Sequence, residues 1–291
     1  MFTRRHAGCS FFSSKILHTY PKSGMKRRRI HLHHHPHTGR KGRGALLFVH
    51  GAYTDSTYWG VNFVPFFQHH GFDCFAVDLS GHGGSEGRER LDEFGLDDYA
   101  DDIAHAVSLI DQPITIVGHS MGALAVQRYL DKSPAAATIF LAPVPTTGLS
   151  ASATRLAIHY PSFFQALYET SKGLFSEANN DLLAKIYFGP DTTGKDVLNF
   201  LPSVAPESRR AVMDMTLLPL RAPVSRRKIP ALVIGGEADN VFPSSNLFFS
   251  ALPWKAKVVR VPGAGHMLPL DQKWQTVATH MLDWMCENAP T

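Results

Sequence analysis

Six short apolar runs recur along the chain, spaced widely enough for a helix between most of them, and this alternation constrains the fold more than any other feature. ALLFVH (45–50), FDCFAVDL (72–79), ITIV (114–117), ATIFLAP (137–143), ALVIG (231–235) and KVVRV (257–261) are bounded by Gly, Pro or Asp. Continuous apolar runs of this length suit strands buried on both faces of a parallel sheet. Between them, LDDYADDIAHAVSLI (96–110) repeats Leu96, Tyr99, Ile103, Val107 and Ile110 at helical spacing, with Asp97, Asp98, Asp101 and Asp102 expected on the opposite, solvated face. Leu124, Val126 and Tyr129 continue a helix after Ser120, and Trp274, Val277, Met281, Leu282 and Trp284 mark a closing one. Strands joined by crossover helices predict an α/β fold, a mostly parallel sheet covered on both faces.

One stretch interrupts the pattern. Residues 144–228 contain no good strand but several short helical patterns, punctuated by Pro161, Pro190, Pro202, Pro206 and Pro219 and rich in Tyr and Phe. A structureless loop of that length is improbable. The expected organisation is therefore a basic, partly disordered extension at 1–43, a core formed by 44–143 and 229–291, and a helical cap at 144–228 whose apolar underside covers a pocket.

The net charge of +4 is misleading about partners, because eleven Lys and Arg precede residue 44 while no acid precedes Asp55. The remainder holds 18 basic against 25 acidic residues, a body that does not suit nucleic acid. The leader has two readings: an Arg-rich, acid-free organellar transit peptide, or a disordered extension ahead of a start at Met25. Either way, no apolar segment suits a secretory signal or a membrane span. Cys9, Cys74 and Cys286 lie at no metal-like spacing and read as reduced thiols of a cytoplasmic protein. HLHHHPH (31–37) lacks an accompanying carboxylate or Cys in the sequence, so no metal is expected there; Ile30 and Leu32 alternating with His31 and His33 suit a strand.

The chemistry gathers around ITIVGHSMGALAVQ (114–127), in which Gly118-His119-Ser120-Met121-Gly122 follows a strand and opens a helix. Such a turn holds a serine hydroxyl out at a helix N-terminus, and close backbone contact excludes side chains at 118 and 122. Serine needs a base within hydrogen-bond reach. Of sixteen histidines, His31 to His37 lie in the leader, His69 and His70 at a helix end and His105 on an amphipathic helix, while His119 points away from its neighbour and His82 precedes the serine. His266, in VRVPGAGHML after a strand, comes late enough for the chain order serine, acid, histidine. The loop after the preceding strand offers Asp239, with Glu237 as the rival. Two N–H donors for an oxyanion would come from Met121, directly after the serine, and from the HGAY turn, with Ala52 preferred to Tyr53.

Taken together, FVHGAYTDSTYW (48–59), VDLSGHGGSEG (77–87), IVGHSMGA (116–123), GGEADNVFP (235–243) and GAGHMLP (263–269) resemble the α/β-hydrolase superfamily, within its lysophospholipase-like and monoacylglycerol-lipase-like serine hydrolases. The resemblance implies Ser120 as nucleophile, Asp239 as acid, His266 as base, an oxyanion hole from Ala52 and Met121, and a helical cap. It implies a cofactor-free hydrolase of a small apolar carboxylic ester or related acyl compound. Lactone, thioester and C–C bond hydrolysis use the same residues, and a non-catalytic receptor is the reading from another class. Ala123 stands where many relatives carry a third glycine, a change a helix tolerates. Oligomeric state is not legible.

Overall fold

The computed structural model describes residues 15–17, 28–38, 42–192, 194, 196–217 and 229–288. Eight strands, β1 Lys15–Leu17, β2 His31–His35, β3 Ala45–Val49, β4 Asp73–Asp78, β5 Ile114–His119, β6 Ala137–Leu141, β7 Ala231–Gly236 and β8 Lys257–Val261, form one sheet in the order β1-β2-β4-β3-β5-β6-β7-β8. β2 runs antiparallel to both neighbours, and β3 to β8 are mutually parallel. All six predicted runs are strands. Their unbroken apolar character is explained by the two cores: Leu46 and Phe48 pack on one face of β3, Leu47 and Val49 on the other. Helix α1 Phe63–His69 and the closing helix Trp274–Asn288 cover the first face, and α2 Leu96–Ser108 and α3 Met121–Lys132 cover the second. The fold is that of an α/β hydrolase.

Two expectations need correction. The sheet reaches upstream of residue 44, because β2 zips onto β4 with His31 opposite Asp78, and Ile30 and Leu32 are buried. Asp98 and Asp102 do not face solvent. They are buried on α2 because Arg28 comes down on them, its guanidinium 3.0 Å from Asp98 Oδ1 and 3.1 Å from Asp102 Oδ1. Ser80 adds an N–H and an O–H to Asp102 at 2.8 and 2.9 Å. The readings of residues 1–24 and Met25 lie outside the described residues, apart from β1.

Between β6 and β7 the chain builds helices α4 Ser150–His159, α5 Phe163–Ser171, α6 Glu177–Tyr187 and α7 Arg209–Leu217, and no strand among the described residues. Its aromatics divide. Phe163, Phe188 and Phe200 are buried, while Phe164, Tyr168 and Phe175 are exposed. A short stretch of the insertion meets the loop after β3: Thr54 and Val204 form an antiparallel bridge, flanked by Asp55 N–H to Ser203 C=O at 3.0 Å and Ala205 N–H to Tyr53 C=O at 2.8 Å.

Candidate active site

The sheet order reverses between β3 and β5, where the chain leaves β3 for β4 and returns on its other side. The crevice at the carboxyl ends of such strands is where open α/β sheets place ligands. The loops bordering it carry Gly51 and Ala52 after β3 and Ser120 after β5, and the loops after β7 and β8 supply Asp239 and His266.

Ser120 occupies the turn between β5 and α3 with φ 52° and ψ −116°. This is a strained conformation for a residue with a side chain, of the kind that clusters at functional sites. The flanking glycines make it possible. A Cβ on Gly118 would stand 2.6 Å from the backbone of Ala123, and one on Gly122 would stand 2.4 Å from the carbonyl oxygen of His50. The turn thus presses β5, α3 and β3 together, leaving the Ser120 hydroxyl as the group that projects.

His266 brings the predicted residues into one hydrogen-bonded line. Its Nε2 is 3.1 Å from Ser120 Oγ, and its Nδ1 is 2.8 Å from Asp239 Oδ2. Asp239 is itself fixed, since its other oxygen accepts the N–H groups of Val241 and Phe242, both at 2.7 Å. A carboxylate held so can only accept, so Nδ1 carries the proton and Nε2 is free to take one from the serine. Glu237 is exposed and makes no such contact. All three members are buried, with His266 2% exposed.

Two of three consecutive amides of the loop after β3 already have acceptors. Gly51 N–H donates to the Tyr58 hydroxyl at 3.2 Å, and Tyr53 N–H donates to Glu207 Oε2 at 3.2 Å. Ala52, between them, lines the same cavity as Ser120. Met121 is the first residue of α3, so its N–H lacks an intrahelical acceptor.

Sequence reasoning passed over several residues that support the site. His119 turns beneath it: Nε2 donates to the carbonyl of His266 at 3.0 Å, and Nδ1 is 3.3 Å from the Tyr58 hydroxyl. Burial, reinforced by the neighbouring His266, lowers its pKa to about 3, so it is neutral and its Nδ1 accepts from Tyr58. His82 lies in a buried ion pair 3.3 Å from Glu207, apart from the serine. Asp78, opposite His31 in the sheet, supplies the carboxylate that the sequence around HLHHHPH lacks: His31 Nδ1 and His33 Nε2 lie 3.3 and 3.5 Å from its Oδ2. Burial would raise its carboxyl, but these histidines and the N–H groups of Ser56 and Gly84 hold it well below the usual carboxylate range. Such pairings between distant segments leave no local pattern to read.

A cavity of about 170 Å³ opens onto Ser120 and His266. Its walls are largely apolar, with Leu149, Leu156, Phe163, Leu167, Phe200 and Met215 coming from the insertion. Among the described residues, neither Lys nor Arg lines it.

Residues 46–280 match the family model described as the alpha/beta hydrolase family. N-formylmaleamate deformylase of Pseudomonas putida is 27% identical over 246 residues, covering 82% of this chain and 87% of that protein. An esterase from Thermogutta terrifontis, solved with malate bound, superposes with a TM-score of 0.68 at 17% identity, covering 94% of this chain and 99% of that one. An esterase from Exiguobacterium antarcticum gives 0.69 at 14% identity, covering 89% and 96%. At these identities the solved structures speak for the fold alone.

Proposed function

This chain belongs to the alpha/beta hydrolase family, and from that premise we propose that it is a cofactor-free serine hydrolase of carboxylic esters. The observation that carries the proposal is the buried line Ser120–His266–Asp239, with contacts of 3.1 and 2.8 Å. In this reading Ser120 Oγ attacks the ester carbonyl while His266 Nε2 takes its proton, and Asp239 stabilises the imidazolium. The oxyanion accepts from the N–H groups of Ala52 and Met121. Collapse breaks the acyl–oxygen bond, His266 protonates the departing alcohol, and a water activated by the same imidazole releases the acid.

Within that class we propose an ester with an apolar acyl group, of the kind that monoglycerides and lysophospholipids present. The apolar walls supplied by the insertion, acting as a cap, support this reading. We place the protein in the cytoplasm, where thiols such as Cys74 and Cys286 stay reduced. No described helix is long and apolar enough to cross a membrane.

A second reading, hydrolysis of an N-acyl amide, is favoured by the deformylase relative. Among the described residues the cavity lining holds neither Lys nor Arg to receive the carboxylate that N-formylmaleamate carries, which weighs toward the ester reading. Hydrolysis of p-nitrophenyl esters from acetate to palmitate should peak at one chain length, and Ser120→Ala should lower it by about 10⁴-fold or more. A fluorophosphonate probe should label the wild type and not the variant. Turnover that survives in Ser120→Ala would overturn the mechanism. Cleavage of N-formyl amides without ester turnover would favour the second reading.

A further inference from the structure

The loop that carries Ala52 is spanned by one bond of its own, the Thr54 hydroxyl donating to the Gly51 carbonyl at 2.9 Å, and is held beyond that from outside. Its Tyr53 amide donates to Glu207, a residue 154 positions away in the insertion whose side chain is fully buried. The second oxygen of that carboxylate accepts the Tyr99 hydroxyl at 2.8 Å and the Ser208 N–H at 2.7 Å. Tyr99 stands on α2 in the core, so Glu207 joins the insertion, the core helix and the loop after β3. The bridge between Thr54 and Val204, with the backbone bonds of Asp55 and Ala205, ties the same two segments together just upstream. His82, 3.3 Å away, balances the buried charge. Among the described residues the Tyr53 amide has no acceptor on the core side, whereas Gly51, on the other side of Ala52, is held by Tyr58 within the core.

We infer that Glu207 is a positioning residue through which the insertion completes the oxyanion hole: by holding the Tyr53 amide it fixes the Ala52 N–H toward the cavity, so catalysis requires the insertion seated on the core. This rests on the serine-hydrolase reading above. The insertion then does two things, walling the cavity and orienting a donor that develops its full value only in the transition state. An ionised carboxylate suits the task, because it accepts three donors at once without offering a hydrogen that would clash with any of them.

The inference separates turnover from ground-state binding. Glu207→Gln replaces one accepting oxygen by an amide that donates, and Glu207→Asp keeps the charge opposite His82 while withdrawing the oxygens from Tyr53. Removal of one oxyanion donor costs about 10² to 10³ in kcat, and misplacing one should cost about 10- to 100-fold. With p-nitrophenyl butyrate, both variants should lose that factor in kcat while KM stays within about threefold. Affinity for butylboronic acid, whose Ser120 adduct is tetrahedral and anionic, should fall in parallel. Glu207→Asp retains the ion pair, so its effect is read in a folded protein if Glu207→Gln loses its cooperative melt. Kinetics and boronate affinity unchanged in Glu207→Asp, or a loss confined to KM or to melting temperature, would overturn the inference and leave Glu207 as scaffold. A wild type that neither turns over the ester nor takes up a fluorophosphonate would instead overturn the reading beneath it.

Discussion

His119 is the residue whose role is most at odds with its place in the motif. It sits beside the serine, yet its ring connects the backbone under His266 to Tyr58 and, through Tyr58, to Gly51. One neutral imidazole therefore sets the spacing between His266 and the loop after β3. His119→Phe should leave the His266 carbonyl buried without its donor, at a cost of about 1–3 kcal/mol. A lower melting temperature together with reduced kcat would be the expected result, and kcat equal to wild type would remove His119 from the support of the site. Because its pKa is pushed down to about 3, none of the pH dependence near neutrality should change with this substitution. The hydrogen-bonded residues of the candidate site, Ser120, Asp239 and His266, were legible because each stands in a recognisable loop that follows a strand. His119, Tyr58 and Glu207 were not, since their partners lie across the fold and leave no periodic trace in the chain.

At the scale of elements, the β5 turn depends on close backbone contact more than on side-chain chemistry. Gly122→Ala would drive a methyl group into the carbonyl oxygens of Val49 and His50, at 2.5 and 2.4 Å. Backbone cannot swing aside as a side chain can, so soluble, folded protein should be nearly absent; a cooperative melt near that of wild type would show that β3 yields. The six buried strands were readable from apolar runs and β2 from the alternation of Ile30 and Leu32 with His31 and His33, whereas its pairing with β4, which sets His31 opposite Asp78, leaves no local trace.

The seam between insertion and core also has a pH signature. Burial opposes the charge on His82, but the facing Glu207 overrides it and raises its pKa, and the same pairing lowers that of Glu207 against the push of burial. Tyr99, Arg88 and the His50 ring, 5.0 Å from His82, are the other groups that face the pair. A raised histidine contributes fully below its ordinary value of 6.5 and loses that contribution as pH climbs through the higher folded value. A depressed carboxyl contributes above its ordinary 4.5 and loses it only as pH falls through the lower folded value. The melting temperature should therefore decline on the alkaline side, and Glu207→Gln should flatten that decline. Scanning calorimetry from about pH 5 to about pH 9 would check this, an unchanged slope assigning the decline to other groups.

For the molecule as a whole, the basic leader is less detachable than its composition implies. Arg28 closes a buried cluster with Asp98, Asp102 and Ser80 that fastens the first described strands to α2. Arg28→Met should leave two buried carboxylates without that cation and cost about 3–5 kcal/mol. Urea unfolding would measure it, and a midpoint shift equivalent to less than about 1 kcal/mol would show that solvent reaches the pair.

The order of the site along the chain has a consequence for how the protein is made. Ser120 and the Ala52 loop emerge from the ribosome first, then the insertion with Glu207, and His266 follows the serine by 146 residues. The hydroxyl is synthesised long before anything can take its proton. A nascent chain released early, or one still being translated, carries a complete nucleophile turn and no base. On the proposed mechanism, activity arrives only when β8 and the loop after it have joined the sheet.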